Sequence, residues 1–382
     1  MIRVGLVGFG MGGRVFHAPL LSSVEGLELA AVVERHTDNA AQRYPGIITY
    51  RSLEAMLADS SLDLFVVSTP SGTHFQVARQ ILEADRNVVV DKPMSAASGE
   101  IAQLMELAAA HGVLLVPYFN RRWDSDFQTI QKLLREGSLG RLVYFESRID
   151  RWRPNPPTDR LWKEDPAQSG GVLLDLGTHL VDQALVLFGK PEAVSAEVLC
   201  ERQWARASDA FTLRLRYPGF PPQQPGTVAA GPGFPPQRPG PVAGGPGFSA
   251  VLGVNCLSIP ARPRFHLRGA KGNYCKTGLD PQEAALNRVT RIADPAWGQE
   301  PAANWGTLSV DVDGGMVTRP VAPIPGNYRL YYAGVRDALL GKAPAPALPL
   351  EAWRVARLLE WAAASSEQRR EIPCDWSEEP GS

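Results

Sequence analysis

Apolar residues along the first 119 positions recur with two different periods. Ile2–Val7 and Leu27–Val33 are short apolar runs rich in β-branched residues, which is typical of strands buried in a parallel sheet. The same patterns predict further strands at residues 62–69, 87–90 and 113–116, and helices at residues 37–43, 73–84 and 97–111. Because strands and helices alternate, residues 1–119 are predicted to form a doubly wound parallel sheet, which binds ligands beyond the carboxyl ends of its strands.

After residue 119, strands follow one another with few helices between them. Strands are predicted at residues 142–151, 194–201, 210–217, 248–259 and 265–268, with a hairpin at residues 310–317 that turns on Asp-Gly. Helices are predicted at residues 127–135, 171–188, 328–340 and 350–366. The expected fold is therefore an α/β domain over residues 1–119, followed by an α+β domain over residues 120–372 built on an open, mainly antiparallel sheet.

A Pro/Gly-rich insertion at residues 218–247 interrupts the second domain. Pro218–Gly231 (PGFPPQQPGTVAAG) is nearly repeated by Pro232–Gly245 (PGFPPQRPGPVAGG). A tandem duplication inside a surface hairpin loop is the favoured interpretation, because the entropy of loop closure grows slowly with length. A polyproline segment that a partner binds is the alternative.

The first strand leads directly into a glycine-rich turn. Gly8, Gly10 and Gly13 fit the pattern G-x-G-x-x-G. Glu34 stands directly after the second strand, about twenty residues beyond Gly13. The first glycine of such a turn permits the tight bend, the second lets the backbone approach a pyrophosphate, and the third lets helix pack on strand. The strand, the turn and the acid together predict a Rossmann dinucleotide-binding site.

Two neighbouring features favour different nicotinamide cofactors. Glu34 stands where a carboxylate accepts the 2′-hydroxyl of the NAD ribose and repels a 2′-phosphate. Arg35, His36, Thr37 and Arg43 would instead bind the 2′-phosphate of NADP if Glu34 turned aside. The cofactor is therefore predicted to be NAD or NADP, with NAD favoured by the position of Glu34.

Charge and composition exclude several classes of protein. The formal net charge is −1 and the basic residues are dispersed, so no surface for nucleic acid or for an acidic membrane is expected. The first strand begins at residue 2, which leaves no room for a signal peptide, and no apolar stretch is long enough to span a membrane. The four cysteines are far apart and form no C-x-x-C. A cytoplasmic protein with reduced thiols and no metal site is expected.

Lys92 is the first candidate catalytic residue. It follows closely on the predicted strand at residues 87–90, and Pro93 fixes the turn after it, so it lies at the edge where the cofactor binds. Partial burial there would lower the pKa of its ammonium group and make it a usable proton donor or acceptor. The competing interpretation is a surface lysine at a strand end.

The predicted helix at residues 171–188 carries the second candidate. Asp175, Thr178, His179 and Asp182 share one stripe of an otherwise apolar helix. Asp175 is expected to accept a hydrogen bond from His179 and so fix its tautomer. A neutral His179 would then take a hydroxyl proton while Lys92 polarises the oxygen as it becomes a carbonyl. An Asp–His pair that only satisfies a domain interface is equally consistent with the helix.

A polar and aromatic cluster at residues 118–124 lies at the predicted domain crossover. Its donors and aromatic faces suit a polar substrate pocket, whereas an interdomain salt-bridge cluster would have the same composition. The segments Arg151–Arg153 and Trp162–Lys163 are weaker candidates of the same kind. The candidate substrate contacts are Tyr118, Asn120, Arg122, Trp123, Asp175 and His179.

Three of these motifs make the chain resemble the Gfo/Idh/MocA oxidoreductases over nearly its whole length. They are the turn Gly8–Gly13, the step Asp91-Lys92-Pro93 and the helix Gly171–His179; residues 119–127 and 274–283 are similar to the inositol-dehydrogenase-like branch. The family's Glu-Lys-Pro step is Asp-Lys-Pro here, which keeps both the charge and the lysine. The resemblance implies that Lys92, Asp175 and His179 are catalytic. The cofactor-binding positions expected from the turn and the resemblance are Gly8, Phe9, Gly10, Met11, Gly13, Glu34, Arg35, Thr69, Pro70, His74 and Lys92.

The resemblance also implies an activity and an assembly. The expected function is hydride transfer between NAD or NADP and a hydroxyl or carbonyl of a cyclic polyol or sugar. A homodimer or homotetramer formed through the second sheet is implied as well. The alternative function is a catalytically silent NAD(P)-binding sensor or regulatory protein of the same fold, against which the presence of both Lys92 and His179 argues.

Overall fold

Six strands form the first sheet of the computed structural model, which describes residues 1–156, 164–166, 170–218 and 247–381. They are β1 (Ile2–Val7), β2 (Leu27–Val33), β3 (Ile48–Tyr50), β4 (Leu64–Val67), β5 (Asn87–Val90) and β6 (Leu115–Pro117). They lie in the order β3-β2-β1-β4-β5-β6 and all pair in parallel. The predicted doubly wound sheet is confirmed, and its strand order reverses between β1 and β4, where such sheets bind their ligands.

Helices connect these strands and cover the sheet. They are α1 (Ala18–Leu21), α2 (Asn39–Arg43), α3 (Leu53–Leu57), α4 (His74–Glu83) and α5 (Ser98–His111). Between the glycine turn and α1 the chain forms a π-helical segment, Gly12–His17, instead of a regular α-helix. The short edge strand β3 was not predicted, because three half-exposed residues carry no periodic pattern.

Nine strands form the second sheet, which follows helix α6 (Ser125–Arg135). They are β7 (Leu142–Arg148), β8 (Ala193–Leu199), β9 (Ala210–Tyr217), β10 (Phe248–Asn255), β11 (Phe265–Gly269), β12 (Gly272–Lys276), β13 (Gly306–Val312), β14 (Gly315–Val321) and β15 (Ile372–Pro373). Their order is β14-β13-β12-β11-β7-β10-β9-β8-β15. Among these described strands only β7 and β10 pair in parallel, so the predicted mainly antiparallel sheet is confirmed.

Five more α-helices follow β7 within the described ranges. They are α7 (Val172–Asp175), α8 (Gly177–Phe188), α9 (Gln282–Leu286), α10 (Arg329–Leu339) and α11 (Pro349–Gln368). The single helix predicted at residues 171–188 is therefore two helices, interrupted at Leu176. Next to this break, Gly177 packs so closely on Leu359 that a Cβ there would lie 3.2 Å from its Cδ2 atom.

Helices α10 and α11 join the two sheets. Tyr331 and Tyr332 of α10 pack against Tyr118, which follows β6. Glu360 of α11 accepts hydrogen bonds from the N–H and the hydroxyl of Ser98 at the start of α5. The last helices therefore pack on the first sheet, and the domain boundary expected after residue 119 stays a prediction.

Two further expectations concern the surface of the molecule. Within the described ranges, no helix is long and apolar enough to cross a membrane. The duplicated insertion at residues 218–247 lies outside the described residues apart from its two ends, and so does the segment Trp162–Lys163.

Candidate active site

A cavity of about 1280 Å³ lies at the carboxyl ends of the strands of the first sheet. One side of the cavity is formed by the glycine turn, the ends of β2 and β4, and Lys92. Arg151, Asp175 and His179, which follow the first sheet in the chain, line the other side. The fold thus brings the predicted cofactor-binding edge and the predicted catalytic residues to one space.

The glycine turn has the shape that a dinucleotide phosphate requires. Gly8 has a φ of 100°, and a Cβ there would lie 2.7 Å from the carbonyl oxygen of Ser68. A Cβ on Gly13 would lie 2.2 Å from the carbonyl oxygen of Gly8, so this position allows close packing and does not line the cavity. Around Gly10 no described atom outside its neighbours lies within 4 Å of such a Cβ. The backbone at Gly10 is therefore open to a pyrophosphate, with Phe9 and Met11 beside it on the cavity wall.

The carboxylate of Glu34 already has protein partners. Its Oε1 accepts a hydrogen bond from the Thr37 hydroxyl at 2.6 Å, and its Oε2 accepts one from the N–H of Ala40 at 2.7 Å. Glu34 and Arg35 both line the cavity, as predicted from the fingerprint. Arg43 does not, because its Nη2 donates to the carbonyl oxygen of Val289 at 2.5 Å. The phosphate contact that Arg43 would make if Glu34 turned aside stays a prediction.

His74 connects two strand ends beside the cavity. Its Nδ1 lies 2.8 Å from the carbonyl oxygen of Pro93, and its Nε2 lies 2.9 Å from the carbonyl oxygen of Thr69. Thr69, Pro70 and His74 all line the cavity. The imidazole thus holds the segment after β4 against the step that carries Lys92.

Lys92 reaches across the cavity to Asp175. Its Nζ donates to both Oδ1 and the main-chain oxygen of Asp175 at 2.7 Å, and the lysine side chain is 16% exposed. The main-chain N–H of Lys92 donates to Asp91, whose Oδ2 lies 3.3 Å from Nε2 of the buried His17. Burial opposes the charge on Asp91, but contact with His17 and the charge of Lys92 outweigh it and lower its pKa to about 2. Asp175 therefore binds the ammonium group of Lys92, and Asp91 binds its main-chain N–H.

His179 lines the same cavity and is held in its neutral form. Burial, and then the positive charges of Lys92 and Arg121, hold the pKa of His179 well below its ordinary value. The hydrogen bond expected between Asp175 and His179 is absent from the described contacts, in which Asp175 accepts from Lys92 instead. The helix break at Leu176 explains this, because the two residues do not share one continuous helix. Both side chains nevertheless line one cavity.

Tyr118 and Asn120 are the members of the predicted substrate cluster that line the cavity. The hydroxyl of Tyr118 donates to the carbonyl oxygen of Phe16 at 3.0 Å. The edge of the Tyr118 ring is left to form part of the cavity wall. Asn120 is buried, and no protein partner of its amide is found among the described residues. Asn120 is therefore the better placed of the two for a hydroxyl of the substrate.

Arg122 and Trp123 require a correction, because they lie outside the cavity lining. The guanidinium of Arg122 is 4% exposed and pairs with Asp182 at 2.6 Å and with Glu351 at 2.9 Å. Trp123 is buried against Tyr331. Asn120–Trp123 form a 3₁₀ turn, in which successive side chains point in different directions, so a cluster in sequence does not share one face.

Charged residues outside the predicted substrate contacts also line the cavity, among them Arg121, Glu283 and Arg151, the last of which belongs to the weaker candidate segment Arg151–Arg153. Arg121 donates from Nη2 to Oε2 of Glu283 at 2.6 Å. Burial would raise the pKa of Glu283, but the charges of Arg121 and Arg151 outweigh it and lower that pKa. Burial and then the neighbouring Arg153 lower the pKa of Arg151. Arg121 belongs to the cluster at residues 118–124 that the sequence predicts to suit a polar pocket, whereas the only sequence signal for Glu283 is the resemblance at residues 274–283.

Metal-ligand groups and cysteines were the other candidate chemistry of the chain. In that part of the chain, no group of three or more His, Cys, Asp or Glu side chains is placed to hold a metal ion. The four cysteines are free thiols, and of these Cys256 lines the cavity.

Comparison with known proteins places the chain among oxidoreductases. Residues 2–119 match the family described as an oxidoreductase family with an NAD-binding Rossmann fold, and residues 127–238 match the GFO/IDH/MocA C-terminal domain. The chain is 35% identical over 368 residues to the uncharacterised oxidoreductase YdgJ of Escherichia coli (strain K12), covering 96% of this chain and 97% of that one. It is 32% identical over 372 residues to the scyllo-inositol 2-dehydrogenase (NADP(+)) IolW of Bacillus subtilis (strain 168), covering 97% and 95%. A solved structure of an oxidoreductase from Yersinia pestis superposes with a TM-score of 0.84 at 36% identity, covering 98% and 97%.

The two sheets, the glycine turn and these matches define an oxidoreductase with a Rossmann domain. The chain belongs to the GFO/IDH/MocA family.

Proposed function

We propose that this oxidoreductase transfers a hydride between NAD or NADP and a CH–OH or carbonyl carbon of a cyclic polyol or sugar. The observation that carries the proposal is that Lys92, which follows β5 of the first sheet, and His179, on α8, line one cavity that also contains the glycine turn. A protein that only sensed the cofactor would have no need of a neutral imidazole and an ammonium group at the far end of the cavity.

The dinucleotide would lie along the first sheet. Gly8, Gly10 and Met11 would hold the pyrophosphate, and Thr69 and Pro70 would lie along its path toward Lys92. When bound, its nicotinamide supplies the acceptor for a hydride in oxidation and the donor in reduction.

The protein's own groups handle the proton and the oxygen. In oxidation, the hydroxyl proton of the substrate passes to a ring nitrogen of His179, which is neutral because its pKa is low. The ammonium of Lys92 donates a hydrogen bond to the same oxygen while the carbon loses its hydride and the carbonyl forms. Asp175 orients that ammonium through the two contacts at 2.7 Å. In reduction, the same imidazole returns the proton.

A substrate with several hydroxyl groups suits the remaining wall. Asn120, Arg121, Arg151 and Glu283 provide donors and acceptors close to Lys92 and His179 in one cavity. The name of IolW, a scyllo-inositol 2-dehydrogenase, supports a cyclic polyol as the first substrate class to test.

The proposal is tested by following reduced nicotinamide while a panel of inositols and aldoses is offered with each oxidised cofactor. We expect turnover with at least one cyclic polyol, and its loss in His179→Ala with cofactor binding retained. His266→Ala is the matched control, because His266 lies on β11 away from the cavity. Cofactor binding without turnover of any polyol or sugar would instead support the silent sensor.

We also propose that the chain forms a homodimer or homotetramer through the second sheet. Residues of β9 alternate, with Leu213 and Leu215 buried and Arg214 and Arg216 exposed, so one face of the sheet is turned away from its core. Exposed apolar side chains on β14, such as Met316, support an additional covered surface. Light scattering should give the mass of two or four chains, and a monomer would reject this assembly.

A further inference from the structure

The segment that follows β7 places two arginines on one wall of the cavity. Arg151 and Arg153 are two residues apart, so in an extended chain their side chains leave the same face. Main-chain hydrogen bonds hold this segment against the end of β10. The N–H of Arg151 donates to the carbonyl oxygen of Asn255 at 2.8 Å, and the N–H of Arg153 donates to that of Cys256 at 2.8 Å. Because both arginines line the cavity, two guanidinium groups reach it from a fixed backbone.

These two guanidinium groups are not balanced by acids. In the part of the chain that the structure describes, the side chains of Arg151 and Arg153 have no hydrogen-bond or ion-pair partner. The described acids on the same side of the cavity are each paired with another cation, namely Asp175 with Lys92, Glu283 with Arg121 and Glu164 with Arg202. Arg151 and Arg153 are therefore the charges that remain after these pairs have formed.

The two positive charges also oppose each other. Arg151 is half-buried and Arg153 is exposed. Burial and then the charge of Arg153 lower the pKa of Arg151, which shows that the two groups are close enough to interact. A half-buried cation without a counter-ion is unfavourable, so an anion bound to the pair would stabilise both groups. Such an arrangement suits a ligand that supplies the missing negative charge.

The arginine pair lies toward the catalytic residues of the cavity. Apart from Arg153, the charges that act on the pKa of Arg151 are those of Glu283, Arg121 and Asp175. The charge of Arg121 also acts on the pKa of His179, and Asp175 binds the ammonium group of Lys92. An anionic group at Arg151 would therefore belong to the molecule that reacts beside Lys92 and His179.

We propose that the substrate carries an anionic group, a carboxylate or a phosphate ester, and that Arg151 and Arg153 bind it. Guanidinium groups bind both kinds of anion through paired N–H donors, and these hydrogen bonds are charge-assisted. A neutral polyol would leave both charges unbalanced. The inference rests on the proposed function for the reacting hydroxyl, and it narrows the substrate class to acids and phosphate esters of sugars and cyclic polyols.

Isothermal titration of the full chain with two matched pairs of compounds tests this inference. Methyl glucoside and methyl glucuronide differ by a carboxylate, and myo-inositol and myo-inositol 1-phosphate differ by a phosphate. Reduced cofactor is present at saturation, so the pyrophosphate site is filled and the hydroxyl compounds form no product. We expect at least one anion to bind about tenfold to a hundredfold more tightly than its neutral partner, the range that a charge-assisted hydrogen bond provides. The pair that shows this ratio identifies the anion.

Three variants show which side chains are responsible. Arg151→Met removes the charge and keeps an unbranched side chain, so the ratio of affinities within a pair should fall to about threefold or less. In Arg153→Met the ratio should fall by a smaller factor, because Arg153 is exposed and water screens its charge. Arg214→Met is the matched control and should keep the ratio, because Arg214 is an exposed residue of β9 that does not line the cavity.

The outcomes separate this inference from the proposed function. Equal affinities within both pairs would overturn the inference and leave hydride transfer on a neutral polyol intact. An equal fractional loss of affinity for an anion and its neutral partner in Arg151→Met would also overturn it, by showing that this arginine binds hydroxyl groups. Preferential binding of an anion that depends on Arg151, without reduction of either oxidised cofactor by any compound tested, would support the anion site and count against hydride transfer.

Discussion

Replacing Lys92 by methionine removes an ammonium group while keeping a side chain of similar length. The group that is lost lies 2.7 Å from two oxygens of Asp175 on a side chain that is 16% exposed, where water screens its charge only in part. Loss of one positioned donor to an oxygen that gains charge in the transition state costs about 10²–10³ in kcat. We expect kcat to fall by about that factor, with cofactor affinity changed much less.

The same substitution has a second consequence at His179. After burial, the charge of Lys92 is the largest contribution to the low pKa of His179. Removing this positive neighbour stabilises the imidazolium, so the pKa of His179 moves up toward its ordinary value of about 6.5. Oxidation needs the neutral imidazole, and the acid limb of kcat/KM should therefore move to higher pH in the variant.

Initial rates between about pH 5 and pH 9 measure both effects in one experiment. Lys132→Met serves as the control, because Lys132 is an exposed residue of α6 that does not line the cavity. Its Nζ lies 3.9 Å from Oε1 of Glu136. A Lys92→Met protein with the kcat of the unaltered enzyme would refute the assigned role. An acid limb that stayed in place would refute the electrostatic link between Lys92 and His179.

Three further predictions follow from individual contacts. Because the pKa of His179 is lowered on folding, the unfolded chain takes up a proton below about pH 6.5 that the folded chain does not. The free energy of unfolding should therefore fall by up to about 1.4 kcal/mol per pH unit as the pH drops below that value, and less steeply in His179→Gln. Urea denaturation at several pH values measures this slope. Arg122→Ala should cost about 3–5 kcal/mol of stability, because it removes the buried guanidinium that pairs with Asp182 and Glu351. Asn120→Ala should keep stability and raise KM for the polyol; equal melting temperatures for the two variants would reject the structural role of Arg122. Gly13→Ala should destabilise the fold by about 1–3 kcal/mol, since its Cβ meets the carbonyl oxygen of Gly8, whereas Gly10→Ala should melt like the unaltered protein and lose cofactor affinity.

The parts of the fold that the sequence predicted are those with a strong local signal. Ile2–Val7 and Leu27–Val33 are mainly apolar runs because both faces of the parallel sheet are covered, and the predicted and observed strands coincide there. Gly112 ends α5 with a φ of 65°, the left-handed conformation that favours glycine. In the hairpin of β13 and β14, the Asp313-Gly314 turn uses positive φ at both residues.

The parts that were mispredicted depend on tertiary contacts. The spacing of Asp175 and His179 predicts a hydrogen bond on one helix, but the helix is interrupted at Leu176 and Asp175 accepts a hydrogen bond from the ammonium of Lys92. Arg122 looked like a ligand because it is polar and adjacent to Asn120, and only the positions of Asp182 and Glu351 show that it is an internal ion pair.

The position of Glu34 illustrates the same limit at the cofactor end. Its distance from the glycine turn was predicted from sequence, and the structure places it on the cavity wall. The partners of its carboxylate come from the N-terminal end of α2 and the loop before it, which no periodic pattern describes. The hydrogen bonds of the carboxylate are therefore decided by this loop and not by the position of the acid alone.

In the proposed mechanism, a substrate carbon facing Lys92 and His179 exchanges a hydride directly with the cofactor. A polyol carrying deuterium on the reacting carbon tests this claim, with the position of the label followed by proton NMR of the nicotinamide product. We predict that the deuterium appears at C4 of the reduced nicotinamide and not in the solvent. Protium at C4 with the label released to water would contradict direct transfer in this cavity.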